Sequence, residues 1–166
     1  MLLIIFHLIS CTTFLKIFVV TTYVMFFRIN NDEIFTIDQI NNRKSLFSYG
    51  DNNSIALDLS RLKTFNIKMT ASEMQSFIHL LPLMIGDLIP LENPHWNVIL
   101  ILLQIIDIIF KSSFNENILK NLADLIKKHH TLYINLYGTL KPKHHFMVHY
   151  PTAIRKCGPL KFIWSM

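Results

Sequence analysis

From Val98 to Phe110 the chain reads VILILLQIIDIIF. Only Gln104 and Asp107 interrupt it, and Asn93-Pro94 stands just upstream as an N-cap followed by a proline at the first helical position, where its missing N–H costs nothing. A spanning helix needs about 20 mostly apolar residues; this run is too short. It therefore predicts a helix over 94–110, surrounded on nearly all sides and forming the centre of a core. Each Leu or Ile buried there contributes about 1.5 to 3 kcal/mol before conformational entropy is charged. Asp107 is then expected to be partly buried and held by a cap or an ion-pair partner rather than acting as a metal ligand or acid.

Around this rod the sequence places further helices. Asn115 caps one over 116–136, with Ile118, Leu119, Leu122, Leu125, Ile126, Leu132, Tyr133 and Leu136 inward and Lys127 and Lys128 outward. Gly138 stops it. Upstream, Thr70-Ala71-Ser72-Glu73 forms a capping box opening a helix over 71–88, which Pro82 should kink or split and Gly86 and Pro90 should end. Thr36-Ile37-Asp38-Gln39 is a second capping box, opening a short helix to about Leu46. Between them, 47–68 reads as an irregular connection with a turn cluster at Tyr49-Gly50-Asp51-Asn52-Asn53-Ser54. The fold expected is all-α, an irregular bundle of four to five helices around 94–110. A separate apolar helix precedes it.

That apolar helix lies in Met1–Phe27. Residues 2–27 suffice to span a bilayer, with Lys16 as the one charge to outweigh. A cleaved signal is a second reading, although no basic start and no A-x-A site accompany it. An accidental leader without a task is a third. Two parts follow from this: the leader 1–27, and a helical region 33–166. If 2–27 spans, the protein is a membrane protein; otherwise it is intracellular.

Composition narrows the classes of function. The 166 residues suit one domain. Apolar residues make up 51%, mean hydropathy is +0.35, and much of that excess sits in the leader. The net charge of +5 is not gathered into runs, so it permits contact with phosphate without demanding it. Cys11 and Cys157 form neither a metal spacing nor a disulfide framework. With only four glycines, there is no glycine-rich phosphate loop. No small-molecule substrate and no cofactor is indicated.

Chemically capable groups are densest in 141–166, KPKHHFMVHYPTAIRKCGPLKFIWSM. His145 and His149 are four apart and would share a helix face, as two metal ligands must; with His144 they make a candidate metal set. No H-E-x-x-H and no cysteine pair supports it, and Pro142 and Pro151 limit the helix to about two turns. Histidines packed at a helix seam explain the same letters. Lys141, Lys143, Arg155, Lys156 and Lys161 could neutralise phosphates, with His144, Tyr150 or Trp164 stacking on bases. The plainer reading is that these residues cover a helical core.

PKHHFMVHYP at 142–151, IRKCGPL at 154–160 and IWSM at 163–166 resemble the C-terminal region of transposase-derived proteins of the CACTA-like group of DDE transposases, found in many copies in insect, cnidarian and fish genomes. LLPLMIGDLIP at 80–90, PHWNVILILLQIIDIIF at 94–110 and FTIDQINNRKSLFSYGD at 35–51 extend the resemblance over about 33–166. It implies contact with nucleic acid or with another transposase subunit, and a nuclear location if that task survives. Such enzymes place three carboxylates around two divalent metals. No carboxylate here transfers to that role on a motif match: Asp87 and Asp107 lie in matched blocks, but nothing marks them as ligands rather than structural acids. The family's Arg-Phe-Glu and its larger upstream portion do not appear, so the expectation is a non-catalytic, transposase-like fragment. The alternative is a small single-pass membrane protein with a helical soluble domain.

Overall fold

The computed structural model describes residues 20–30, 34–46, 71–140 and 142–159, and among these the chain is helical without a strand element. In order they form α1 (Val20–Asn30), α2 (Ile37–Leu46), α3 (Ala71–Ile85), α4 (Pro94–Ile109), α5 (Glu116–Tyr137), a 3-10 helix (Pro142–His149) and α6 (Tyr150–Cys157). Residues 1–19, including Cys11 and Lys16, lie outside the described set. So do the expected connection 47–68 and the Thr70 end of its capping box.

The starts of α2, α4 and α5 fall where polar side chains take the first orphan N–H groups. The Asn93 side chain accepts from the N–H groups of His95 (2.9 Å) and Trp96 (3.1 Å) to open α4. The Asn115 side chain accepts from Ile118 N–H at 2.9 Å to open α5. At α2 the box closes in both directions: Gln39 N–H donates to Thr36 Oγ1 (3.2 Å), and Thr36 N–H donates to Gln39 Oε1 (2.9 Å).

Helix α4 is the centre. Trp96, Val98, Ile99, Ile101, Leu102, Leu103, Ile105, Ile106, Ile108 and Ile109 are all buried, leaving a narrow outward stripe of Asn97, Gln104 and Asp107. It packs most extensively against α5 and next against α1. The pair α4–α5 is antiparallel, since His95 at the start of one meets Tyr137 at the end of the other, Nδ1 to OH 3.1 Å. On its other side α5 carries the 3-10 helix and α6.

Three expectations need correction. The apolar helix is not separate where it is described: Tyr23, Phe26 and Phe27 of α1 are buried in the main core. Phe26 stacks on Phe35 (5.7 Å between centroids) and meets Trp96 of α4 (5.5 Å), and Tyr23 meets Phe77 of α3 (6.5 Å). Spacing by three and four residues puts these rings on one helix face, and that face finds the core. Among the described residues no helix is long and apolar enough to cross a membrane.

Second, of the kink or split expected at Pro82 the split does not occur: the helix runs unbroken from Ala71 to Ile85 with Pro82 inside it. It ends earlier than expected, in a turn where Gly86 N–H donates to Pro82 O at 2.9 Å. A Cβ at Gly86 would stand 2.4 Å from that same carbonyl oxygen, so the close approach requires glycine. Third, Asp107 is not partly buried. It sits on the outward stripe of α4, its side chain 60% exposed, and takes its partner from α3.

Candidate functional site

The terminal segment docks on α5 through aromatic and imidazole rings. His129 lies on the inward face of α5 three and seven residues after Ile126 and Leu122, so helical spacing carries it inside, and it is fully buried. Its ring lies parallel to that of Tyr133 (6.0 Å, 29°) and to that of His144 from the 3-10 helix (6.3 Å, 21°). His144 is itself buried, 4.6 Å from the Tyr133 ring and 5.8 Å from that of His130. Tyr137 continues the row, 4.6 Å from Tyr133, and reaches His95.

Among the described residues neither ring nitrogen of His129 has a hydrogen-bond partner, and the Nε2 of His130 has none. Burial, reinforced by the neighbouring His130 and His144, pushes the His129 pKa down to about 3, so this imidazole is neutral. Partial burial and the nearby His145 lower His130, and burial lowers His95. Burial raises the phenols of Tyr133 and Tyr137.

The histidines expected as a metal set divide. His144 faces inward to α5, while His145 and His149 are exposed with their Nε2 atoms 3.1 Å apart. Among the described residues no group of three or more His, Cys, Asp or Glu side chains could hold a metal ion. The expected two-turn helix is a 3-10 helix up to His149 that hands over directly to α6, with Pro151 in the first turn of that helix instead of at its end. There its ring costs no hydrogen bond. Gly158, at φ 82°, ends α6 just after the half-buried Cys157.

The basic residues also separate. Lys141, Lys161 and Trp164 lie outside the described residues, as does the side chain of Lys143. Arg155 is not free: its Nη2 and Nε donate to the two carboxylate oxygens of Glu116, at 2.6 and 3.2 Å. The guanidinium holds the Glu116 carboxyl below the usual range, and Lys120 adds to the effect. The C-terminal end of α6 and the N-terminal turns of α5 thus meet through the Arg155–Glu116 pair, with Lys120 beside Glu116 and Lys156 next in the chain to Arg155, all exposed. Lys120 carries no motif of its own; its place four residues after Glu116 on one helix face is the signal that marks it.

Asp87 and Asp107, the two acids weighed above as ligands or structural acids, both have structural partners. Asp87 forms a two-pronged pair with Arg43 of α2, with Nη2 to Oδ2 at 2.9 Å, and the same guanidinium donates to Met84 O at 2.7 Å, satisfying a carbonyl at the end of α3. This pairing keeps Asp87 ionised, well below the ordinary carboxyl range. Asp107 accepts from His79 Nε2 at 2.9 Å, while His79 Nδ1 faces the Gln75 carbonyl at 2.7 Å.

No protein-family model, curated protein or solved structure matches this chain.

Proposed function

We propose that this chain is the helical, non-catalytic part of a transposase-like protein, and that it contacts nucleic acid through the edge where α6 meets the start of α5. The observation that carries this reading is the meeting of α6 with the start of α5 through the exposed Arg155–Glu116 pair, with the exposed Lys120 close enough to act on the Glu116 carboxyl and the exposed Lys156 next to Arg155 in the chain. Cations held on a rigid helical edge neutralise phosphates and release their counterions, so binding of this kind is sequence-tolerant and salt-dependent. The docked rings of His129, Tyr133 and His144 fix the position of α6 and so the geometry of that edge.

Fluorescence anisotropy of a labelled DNA duplex over a salt series tests it. The wild-type chain is expected to bind with an affinity that falls steeply with salt. The pair Lys120→Ala and Lys156→Ala is expected to weaken binding and flatten the salt slope by about one unit for each phosphate no longer neutralised. Binding indifferent to both salt and these substitutions overturns the proposal, as does no binding at low salt.

A further inference from the structure

We infer that His145 and His149 form a surface site for one divalent transition-metal ion, with copper(II) held most tightly. The two Nε2 atoms stand 3.1 Å apart and the ring centroids 4.8 Å apart, with the planes at 83°. Two neutral imidazoles joined by a straight N–H···N bond at that distance would put the centroids about 5.4 Å apart. The shorter observed separation means that the two rings do not lie end to end along the N···N line. Metal–imidazole bonds are about 2.0 to 2.1 Å long, and an ion at that distance from both nitrogens subtends roughly 100° between them. Rings aimed at such an ion have centroids about 4.8 Å apart. The pair therefore already has the bite of a two-histidine chelate.

The local backbone explains why the pair is available. The 3-10 helix ends at His149, which occupies the N-cap position of α6 yet makes no side-chain capping bond. Both rings are exposed, so the remaining coordination positions are open to water. Two nitrogen ligands and water suit copper, nickel or zinc and not calcium or magnesium, which take oxygen. Among those three, copper(II) stands highest in the general affinity order. With only two protein ligands the site exchanges its ion readily, and an ion bound there ties the 3-10 helix to the entry of α6. This inference is independent of the nucleic-acid proposal.

Isothermal titration of the tag-free full chain with copper(II), nickel(II), zinc(II) and magnesium chlorides, in a non-coordinating buffer near neutral pH, tests it. One ion per chain is expected for the first three, copper tightest, with no magnesium binding. His145→Ala and His149→Ala should each weaken binding at least tenfold. His79→Ala, which removes another exposed histidine, should leave it unchanged. Both site residues are exposed, and helix content by circular dichroism is expected to be retained. Absence of binding overturns the inference; so does binding that survives both His145→Ala and His149→Ala, which would place the ion elsewhere.

Discussion

The ring of His144 lies 4.6 Å from that of Tyr133, and through this contact the terminal segment is fixed to α5. Behind it sits His129, buried, with neither nitrogen bonded among the described residues. A neutral imidazole is tolerated in such a place; a charged one is not.

Stability should therefore fall on acidification. Folding lowers the His129 pKa from 6.5 to about 3. Between these values the unfolded chain binds the extra proton, so stability rises with pH and is lost as pH drops from about 6.5 toward 3. The slope from this group is at most about 1.4 kcal/mol per pH unit. Urea unfolding at a series of pH values measures it. His129→Leu is expected to flatten the dependence, leaving the contributions of His130 and His95, lowered in the same direction, and of the paired carboxylates Asp87 and Glu116 at the acid end. An unchanged acid slope in the variant would rule out His129 as the origin.

The role of α4 as centre is tested by contrast along one helix. Leu102 is fully buried and Gln104 exposed. Leu102→Ala should cost about 2 to 5 kcal/mol through reduced burial and the cavity left behind. Gln104→Ala should stay within about 0.5 kcal/mol. Chemical denaturation of both variants decides; equal costs would contradict the arrangement.

Gly86→Ala places a methyl against the Pro82 carbonyl, which is backbone and cannot rotate away. The end of α3 must shift, at an expected cost of about 1 to 3 kcal/mol, as for other overpacked sites. Because Arg43 bonds both Met84 O and Asp87 there, the loss should shrink in an Arg43→Ala background. A double-mutant cycle measures that coupling.

Glu116→Gln leaves Arg155 without its charged partner. If the basic edge meets phosphate, DNA affinity should rise several-fold at low salt, and the gain should disappear at high salt. Unchanged or weaker binding, measured by the same anisotropy titration, would argue that this edge does not face nucleic acid.

Much of the scaffold was legible because its signals are local. Asn93-Pro94, Asn115 and the Thr36–Gln39 box each act within four residues, and each does in the structure what its chemistry dictates. The placement of α1 was not legible. Its polar residues, Thr21, Thr22, Arg28 and Asn30, do not mark one outward face, and the rings that receive Tyr23, Phe26 and Phe27 come from Phe35, Phe77 and Trp96, mostly far along the chain. Asp107 was misjudged because eleven apolar neighbours hide a stripe that Asn97, Gln104 and Asp107 share at helical spacing. At the candidate sites, i,i+4 spacing brought His145 to His149. The Arg155–Glu116 pair and the stacking of His129 on His144 depend on how α6 and the 3-10 helix fold back on α5, which no short-range pattern contains.

The α4–α5 hairpin has a kinetic consequence. Its two helices are joined only by Phe110–Asn115, yet they share the broadest interface in the bundle. Closing a loop that short costs little chain entropy, so this hairpin is the natural nucleus, formed before the distant aromatic faces of α1 and α3 arrive. Substitutions at Ile106 and Leu119 should then slow refolding, while those at Phe26 should mainly quicken unfolding, a distinction stopped-flow chevrons would draw directly.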